Sequence, residues 1–150
     1  MRITVLGATG MAGTAVVNEA LSRGHEVTAV SRRRCHRVGA RLTSRLLDVT
    51  DVEGVAGLLT DSDAVVVALR PPAGHESDLA RLTMAVLDAA SRGRTPLLII
   101  GGAAALSSPT DPSTLAIDDP TIVPPAWRDV AQASLDQFRA CQEHRYKGWV

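Results

Sequence analysis

Three glycines at intervals of three residues, Gly7, Gly10 and Gly13, stand in the run Gly7-Ala8-Thr9-Gly10-Met11-Ala12-Gly13 near the start of the chain. Glycines in this pattern act through the backbone. The first lets the chain turn out of a strand, the second lets amide groups approach a phosphate with no Cβ between them, and the third lets a helix pack close to the strand. A helix starting there offers free N–H groups and the positive end of its dipole to a pyrophosphate. The flanks fit that use. Arg2-Ile3-Thr4-Val5-Leu6 is a short run of strand formers, and Thr14 to Arg23 places Ala15, Val16, Ala20 and Leu21 at helical spacing. Gly24-His25 then closes the helix before a second apolar strand, Glu26 to Val30. Strand, tight turn, helix and strand together predict a dinucleotide site; the plainer alternative is a glycine turn that only packs.

After the second strand comes Ser31-Arg32-Arg33-Arg34-Cys35-His36-Arg37. A site for NAD usually carries an acid here, bonded to the ribose 2′-hydroxyl. This chain has Ser31 and Arg32 instead, and a guanidinium pairs with a 2′-phosphate that a carboxylate repels. The reading is therefore NADP (NADPH), with NAD less favoured, Arg32 as the phosphate contact and Arg33 as its helper. Arg34 and Arg37 read as a solvated turn. Asp48 and Val49, leaving a third strand, are candidate adenine contacts, or equally a strand end and cap. Ala68-Leu69-Arg70 and Gly101-Gly102 follow further apolar runs and are candidate cofactor contacts, since ligands sit at the carboxyl edge of a parallel sheet. The small residues from Gly101 to Ala105 either leave room for the nicotinamide and a substrate or form a tight strand exit.

These residues need a scaffold, and the rest of the chain supplies alternating elements. Arg41 to Leu47 reads as the third strand, Val52 to Leu59 as a helix capped by Thr50 or Asp51, and Asp63 to Leu69 as a strand covered on both faces. Ser77 to Ala90 reads as a helix and Pro96 to Ile100 as the fifth strand. Residues 107 to 125, rich in Ser, Thr, Asp and Pro, read as a lid or a disordered segment. A last helix from about Pro125 to His144 has Val130, Ala133, Leu135, Phe138 and Cys141 available for burial. Gly148-Trp149-Val150 begins a sixth strand too short for a stable ladder, so the chain reads as one domain over residues 1–150, short at its C-terminal end. The expected fold class is α/β, a Rossmann-like doubly wound parallel sheet in the order 3-2-1-4-5 with a stub of a sixth strand.

Composition narrows the partners. The 150 residues carry 16 basic and 16 acidic side chains, a net charge of zero, so nothing steers the chain toward nucleic acid or an anionic membrane. No apolar run reaches the length of a membrane span, and Arg2 leads straight into a strand, which predicts a cytoplasmic protein. Cys35 and Cys141 lack metal-site spacing and read as incidental thiols. His75-Glu76 lacks the second histidine of a zinc helix, so no metal is expected.

The glycine run after an N-terminal strand, Ser31-Arg32, Asp48-Val49 and Gly101-Gly102-Ala103 before a proline-containing acidic loop resemble the atypical short-chain dehydrogenase/reductases. The nearest group is the NmrA-like and biliverdin/flavin-reductase-like NAD(P)H-binding proteins. The resemblance implies a nicotinamide cofactor and a small-molecule acceptor. It also shows a departure. The family's tyrosine followed four residues later by lysine is missing, because the only tyrosine, Tyr146, directly precedes Lys147, and alanines stand where the serine often lies. Carbonyl chemistry needs such an acid; hydride transfer to a flavin or quinone does not, since a proton can come from water. The expectation is an NADPH-dependent reductase of a flavin, quinone or similar acceptor with no assigned catalytic side chain. The alternative is a non-catalytic NADP(H)-binding regulator or redox sensor.

Overall fold

The structure, a computed structural model, describes residues 1–33 and 39–150. The expectations placed on Arg34, Cys35 and Arg37 lie outside the described residues. Short runs rich in apolar and β-branched residues, continuous where both faces are covered, build the strands β1 (Arg2–Leu6), β2 (Glu26–Ser31), β3 (Leu42–Leu46), β4 (Ala64–Val67) and β5 (Leu97–Ile99). Helical spacing builds α1 (Met11–Ser22), α2 (Val52–Thr60), α3 (Asp78–Gly93) and α4 (Arg128–Glu143). All the strand pairs are parallel and their order is β3-β2-β1-β4-β5, as the alternation of elements predicts.

The chain divides into two compact units. The first comprises Met1–Arg70, Ala85–Ile100 and Arg145–Val150 and contains the sheet. On one face of that sheet, Val5, Val27, Ala29 and Val66 pack with Val17 and Ala20 of α1. Burying each such valine stabilises by roughly 1.5–3 kcal/mol. Right-handed crossovers from β3 to β4 and from β4 to β5 run the other way along the sheet from the β1–β2 crossover, so they place α2 and α3 on the opposite face. Asp51 caps α2 by accepting from Gly54 N at 3.0 Å. β3 is the exposed edge, with only Leu42 half-buried and Leu46 open to solvent.

At the other edge the final residues pair more fully than their number suggests. Leu97 N donates to Gly148 O at 2.8 Å, Ile99 N to Val150 O at 2.8 Å, and Val150 N to Leu97 O at 3.0 Å. Three backbone bonds hold this stub parallel to β5.

The second unit comprises Pro71–Met84 and Gly101–His144. Residues 107–125, expected as a lid or a disordered segment, are organised around Asp119. Its carboxylate accepts from Ser108 Oγ at 2.6 Å, Thr110 Oγ1 at 2.7 Å, Thr121 N at 2.9 Å and Thr121 Oγ1 at 2.5 Å. These bonds hold the Asp119 carboxyl well below the usual carboxylate range. Ala104, Ile117 and Leu135 form a small core beside it. In α4, Ala133, Leu135 and Cys141 are buried as expected, but Phe138 is 40% exposed and Gln137 is buried in its stead. The reason is polar: Gln137 Nε2 donates to Thr83 Oγ1 of α3 at 3.1 Å, so the carboxamide enters the interior with its partner already there.

Candidate functional site

The glycine turn at the carboxyl end of β1 is fixed from both neighbouring strands. Gly7 N and Ala8 N both donate to Val30 O of β2, at 3.0 and 3.1 Å. Gly7 takes φ +84°, and a Cβ there would collide with the Ala68 carbonyl beyond β4. Gly10 N donates to Gly7 O at 3.0 Å, and Thr14 Oγ1 donates to Ala8 O at 3.1 Å. A Cβ on Gly13 would lie 2.8 Å from the Gly7 carbonyl carbon and 3.0 Å from Ala8 Cα, so the helix rests directly on the turn.

The helix therefore starts earlier than its apolar pattern suggests, at Met11 rather than Thr14. Gly10 is its N-cap, no side chain caps it, and its first turn holds no acidic residue. The first intrahelical bond runs from Thr14 N to Gly10 O, which leaves the amides of Met11, Ala12 and Gly13 for a ligand or water. α2 differs on every count, having the Asp51 cap and Glu53 in its first turn. The N-terminus of α1 thus presents free amides and the positive end of its dipole, an arrangement that could hold a pyrophosphate.

Sheet order sets what flanks this turn. Leu6 is in register with Val30 of β2 on one side and Val67 of β4 on the other, so the chain exits at Gly7, Ser31 and Ala68 lie next to one another. Ser31 is buried and its hydroxyl donates to the Arg33 carbonyl, so it shapes the turn; Arg32 and Arg33 are exposed. Beyond β3, Asp48 Oδ1 accepts from Thr50 N at 3.0 Å and Thr50 Oγ1 at 2.9 Å. Those bonds, with the Arg32 charge adding to them, hold the Asp48 carboxyl below its ordinary range. Val49 is buried, which leaves only its backbone for a ligand. Ala68 N donates to Leu6 O at 2.9 Å, Ala68 and Leu69 are half-buried against Gly7, and Arg70 is exposed. Thr9 and Met11 are exposed at the tip of the glycine turn.

Gly101 and Gly102 belong to the second unit. Gly102 N donates to Ser134 Oγ of α4 at 2.7 Å, and a Cβ on Gly102 would sit 2.5 Å from that oxygen. The second glycine thus has a packing reason of its own, the tight strand exit. Ser134 and Gln137 were not singled out from the sequence, although both are polar residues one helical turn apart. Asp119 was missed too, yet Asp119-Pro120-Thr121 repeats the spacing of Asp111-Pro112-Ser113 and Asp48-Val49-Thr50. In each, the aspartate accepts from the amide and hydroxyl two residues on.

Tyr146 stands away from the carboxyl edge. Its hydroxyl donates to Thr95 O at 2.8 Å, at the amino end of β5, and burial pushes the phenol above its ordinary range. His75 Nδ1 lies 3.6 Å from Asp78 Oδ2 on an exposed turn. Among the described residues no group of three or more His, Cys, Asp and Glu side chains could hold a metal ion. No helix among them is long and apolar enough to cross a membrane.

A family model described as NAD(P)H-binding matches residues 7–142. An uncharacterized protein of Bacillus subtilis (strain 168), YwnB, is 33% identical over 153 aligned residues that span all of this chain and 70% of that protein. A crystal structure from Streptococcus pneumoniae TIGR4, of a protein proposed to be an NADH-flavin reductase, is 27% identical with a TM-score of 0.85. The match covers 99% of this chain and 69% of that one. A proposed epimerase from Bacteroides thetaiotaomicron is 27% identical with a TM-score of 0.80, over 92% of this chain and 62% of its own.

Proposed function

From a chain that belongs to the NAD(P)H-binding family, we infer an NADP(H)-dependent reductase that passes hydride to a flavin, quinone or similar small acceptor. The observation that carries the reading is the carboxyl edge of the sheet. An uncapped helix start without acidic residues lies beside a β2 exit where Arg32 and Arg33 stand exposed in place of a carboxylate.

The amides of Met11, Ala12 and Gly13 hold the pyrophosphate, with Gly7, Ala8, Thr9 and Gly10 shaping the turn beneath it. Arg32, helped by Arg33, pairs with the 2′-phosphate, and Ser31 fixes the turn that presents them. Asp48 and the Val49 backbone border the adenine. Ala68 and Leu69 line the way to the nicotinamide. When bound, the reduced nicotinamide supplies a hydride, and the acceptor takes that hydride plus a proton from water. No side-chain acid is required, which agrees with the Tyr146 hydroxyl being engaged at the amino end of β5. The same observation favours a second reading, a regulator that binds the nucleotide without turnover.

Parallel titrations with NADPH and NADH, on the natural chain and on Arg32→Ala, test the cofactor assignment. A charge-assisted contact to phosphate contributes about 1.5–3 kcal/mol, so NADPH affinity falls roughly tenfold to a hundredfold in the variant while NADH affinity holds. Equal loss of both nucleotides refutes the 2′-phosphate contact. Oxidation of NADPH by a flavin or quinone then separates the reductase from the regulator.

A further inference from the structure

Among the described residues, Arg70 is a cation without a partner at the carboxyl edge. Six other arginines have a carboxylate within salt-bridge distance, for example Arg2 with Asp63 and Arg92 with Glu53, both at 3.4 Å. Arg70 forms no ion pair or side-chain hydrogen bond among the described residues and is exposed. Its position is well defined. β4 ends at Val67, Ala68 is tied to Leu6 and packs its carbonyl over Gly7, and Arg70 follows two residues later. Pro71 comes next, and a residue before proline is kept extended, so Arg70 continues outward from the strand end.

β2 and β4 lie on opposite sides of β1, which puts Arg32 and Arg33 on one side of the glycine turn and Arg70 on the other. The phosphates of an NADP molecule are accounted for without Arg70. The pyrophosphate meets the amides at the start of α1, and the 2′-phosphate meets the arginines beyond β2. On that reading the nicotinamide end would lie toward β4, where the cofactor would bring no phosphate. A free guanidinium beside that end selects for an anion on the other reactant.

We propose that Arg70 is a specificity residue for the acceptor, favouring a flavin that carries a phosphate over one that is neutral; this rests on the reductase reading above. FMN and riboflavin share one ring system and differ in that phosphate, so their ratio isolates its contribution. The measurement is quenching of flavin fluorescence by the chain saturated with NADP⁺, which cannot turn over, for the natural chain, Arg70→Ala and Arg70→Lys. FMN should bind roughly tenfold to a hundredfold tighter than riboflavin, as one charge-assisted phosphate contact gives. The ratio should fall to near one in Arg70→Ala. In Arg70→Lys it should be intermediate, because the charge stays while the two-pronged geometry is lost.

Equal binding of the two flavins by the natural chain, or a ratio that survives Arg70→Ala, overturns the proposal. So does a loss of NADPH affinity in Arg70→Ala with the flavin ratio intact, which assigns the residue to the cofactor. NADPH oxidation by a neutral quinone without binding of either flavin removes the Arg70 assignment and leaves the reductase standing. An Arg70-dependent flavin ratio with no turnover of any acceptor does the reverse.

Discussion

Alanine at position 13 sets two effects against each other, and the structure decides between them. Gly13 lies in the first turn of α1, where replacing glycine by alanine ordinarily stabilises a helix by about 0.5–1 kcal/mol. Here the added Cβ would sit 2.8 Å from the Gly7 carbonyl carbon and 3.0 Å from Ala8 Cα. Those distances are roughly 0.5–1 Å inside the optimum for carbon contacts. The atoms it meets are backbone, pinned to Val30 O by Gly7 N and Ala8 N and to the helix by Thr14 Oγ1, so they cannot swing aside. Overpacking of this kind costs about 1–3 kcal/mol, and more when backbone must move. Gly13→Ala should therefore lose about 1–2 kcal/mol net and weaken NADPH binding at least tenfold, because the displaced turn carries the amides. Gly57→Ala is the control. Gly57 is an exposed residue of α2 with nothing within 4 Å of its added Cβ, so it should gain about 0.5–1 kcal/mol. Thermal melting reads both variants, at about 2–4 °C per kcal/mol for a chain of this size, and nucleotide titration reads the turn. A Gly13→Ala chain as stable as the natural one with unchanged NADPH affinity refutes the close-packing argument.

Two further outcomes follow from the polar groups. Asp119 titrates below the range of an unfolded aspartate, near 3.9, so it adds stability that is complete above that pH and is lost as pH falls toward its folded value. Melts of the natural chain and Asp119→Asn should differ most at neutral pH and converge below about pH 4; a gap that stays constant down to pH 2.5 counts against the carboxylate as the organising group. Asp48 also titrates low in its own turn and cancels because both proteins keep it, whereas Asp111, which the Asp119 charge pushes up slightly, titrates lower still in the variant. Tyr146→Phe should lose about 0.5–1.5 kcal/mol with its bond to Thr95 and leave NADPH affinity and turnover unchanged. A drop in turnover without a drop in melting temperature would instead make Tyr146 a proton donor.

The parts of this chain that its sequence reveals are those in which the backbone does the work. Gly7, Gly10 and Gly13 are readable because only glycine satisfies a positive φ at Gly7 and the contact of Gly13 with Gly7, and each requirement is local to the motif. The strand order follows from alternating periods and crossover handedness, which are equally local. The start of α1 is misjudged by three residues for the converse reason. Low helix propensity at Gly13 argues against helix, while contact with the turn demands it, and contact prevails. Burial in α4 turns on one position: Phe138 is the apolar choice, but Gln137, rotated about a hundred degrees around the axis, is the residue that faces Thr83, 54 positions earlier. No local pattern carries that pairing. Asp119 sits between these cases, since its bond to Thr121 follows from an aspartate two residues before a threonine, whereas its bonds to Ser108 and Thr110 do not. The glycine turn of the first unit, which is built from backbone contacts, is consequently legible at the level of single residues. In Pro71–Met84 and Gly101–His144, by contrast, side-chain pairs distant in sequence set the arrangement, and no local pattern reveals them.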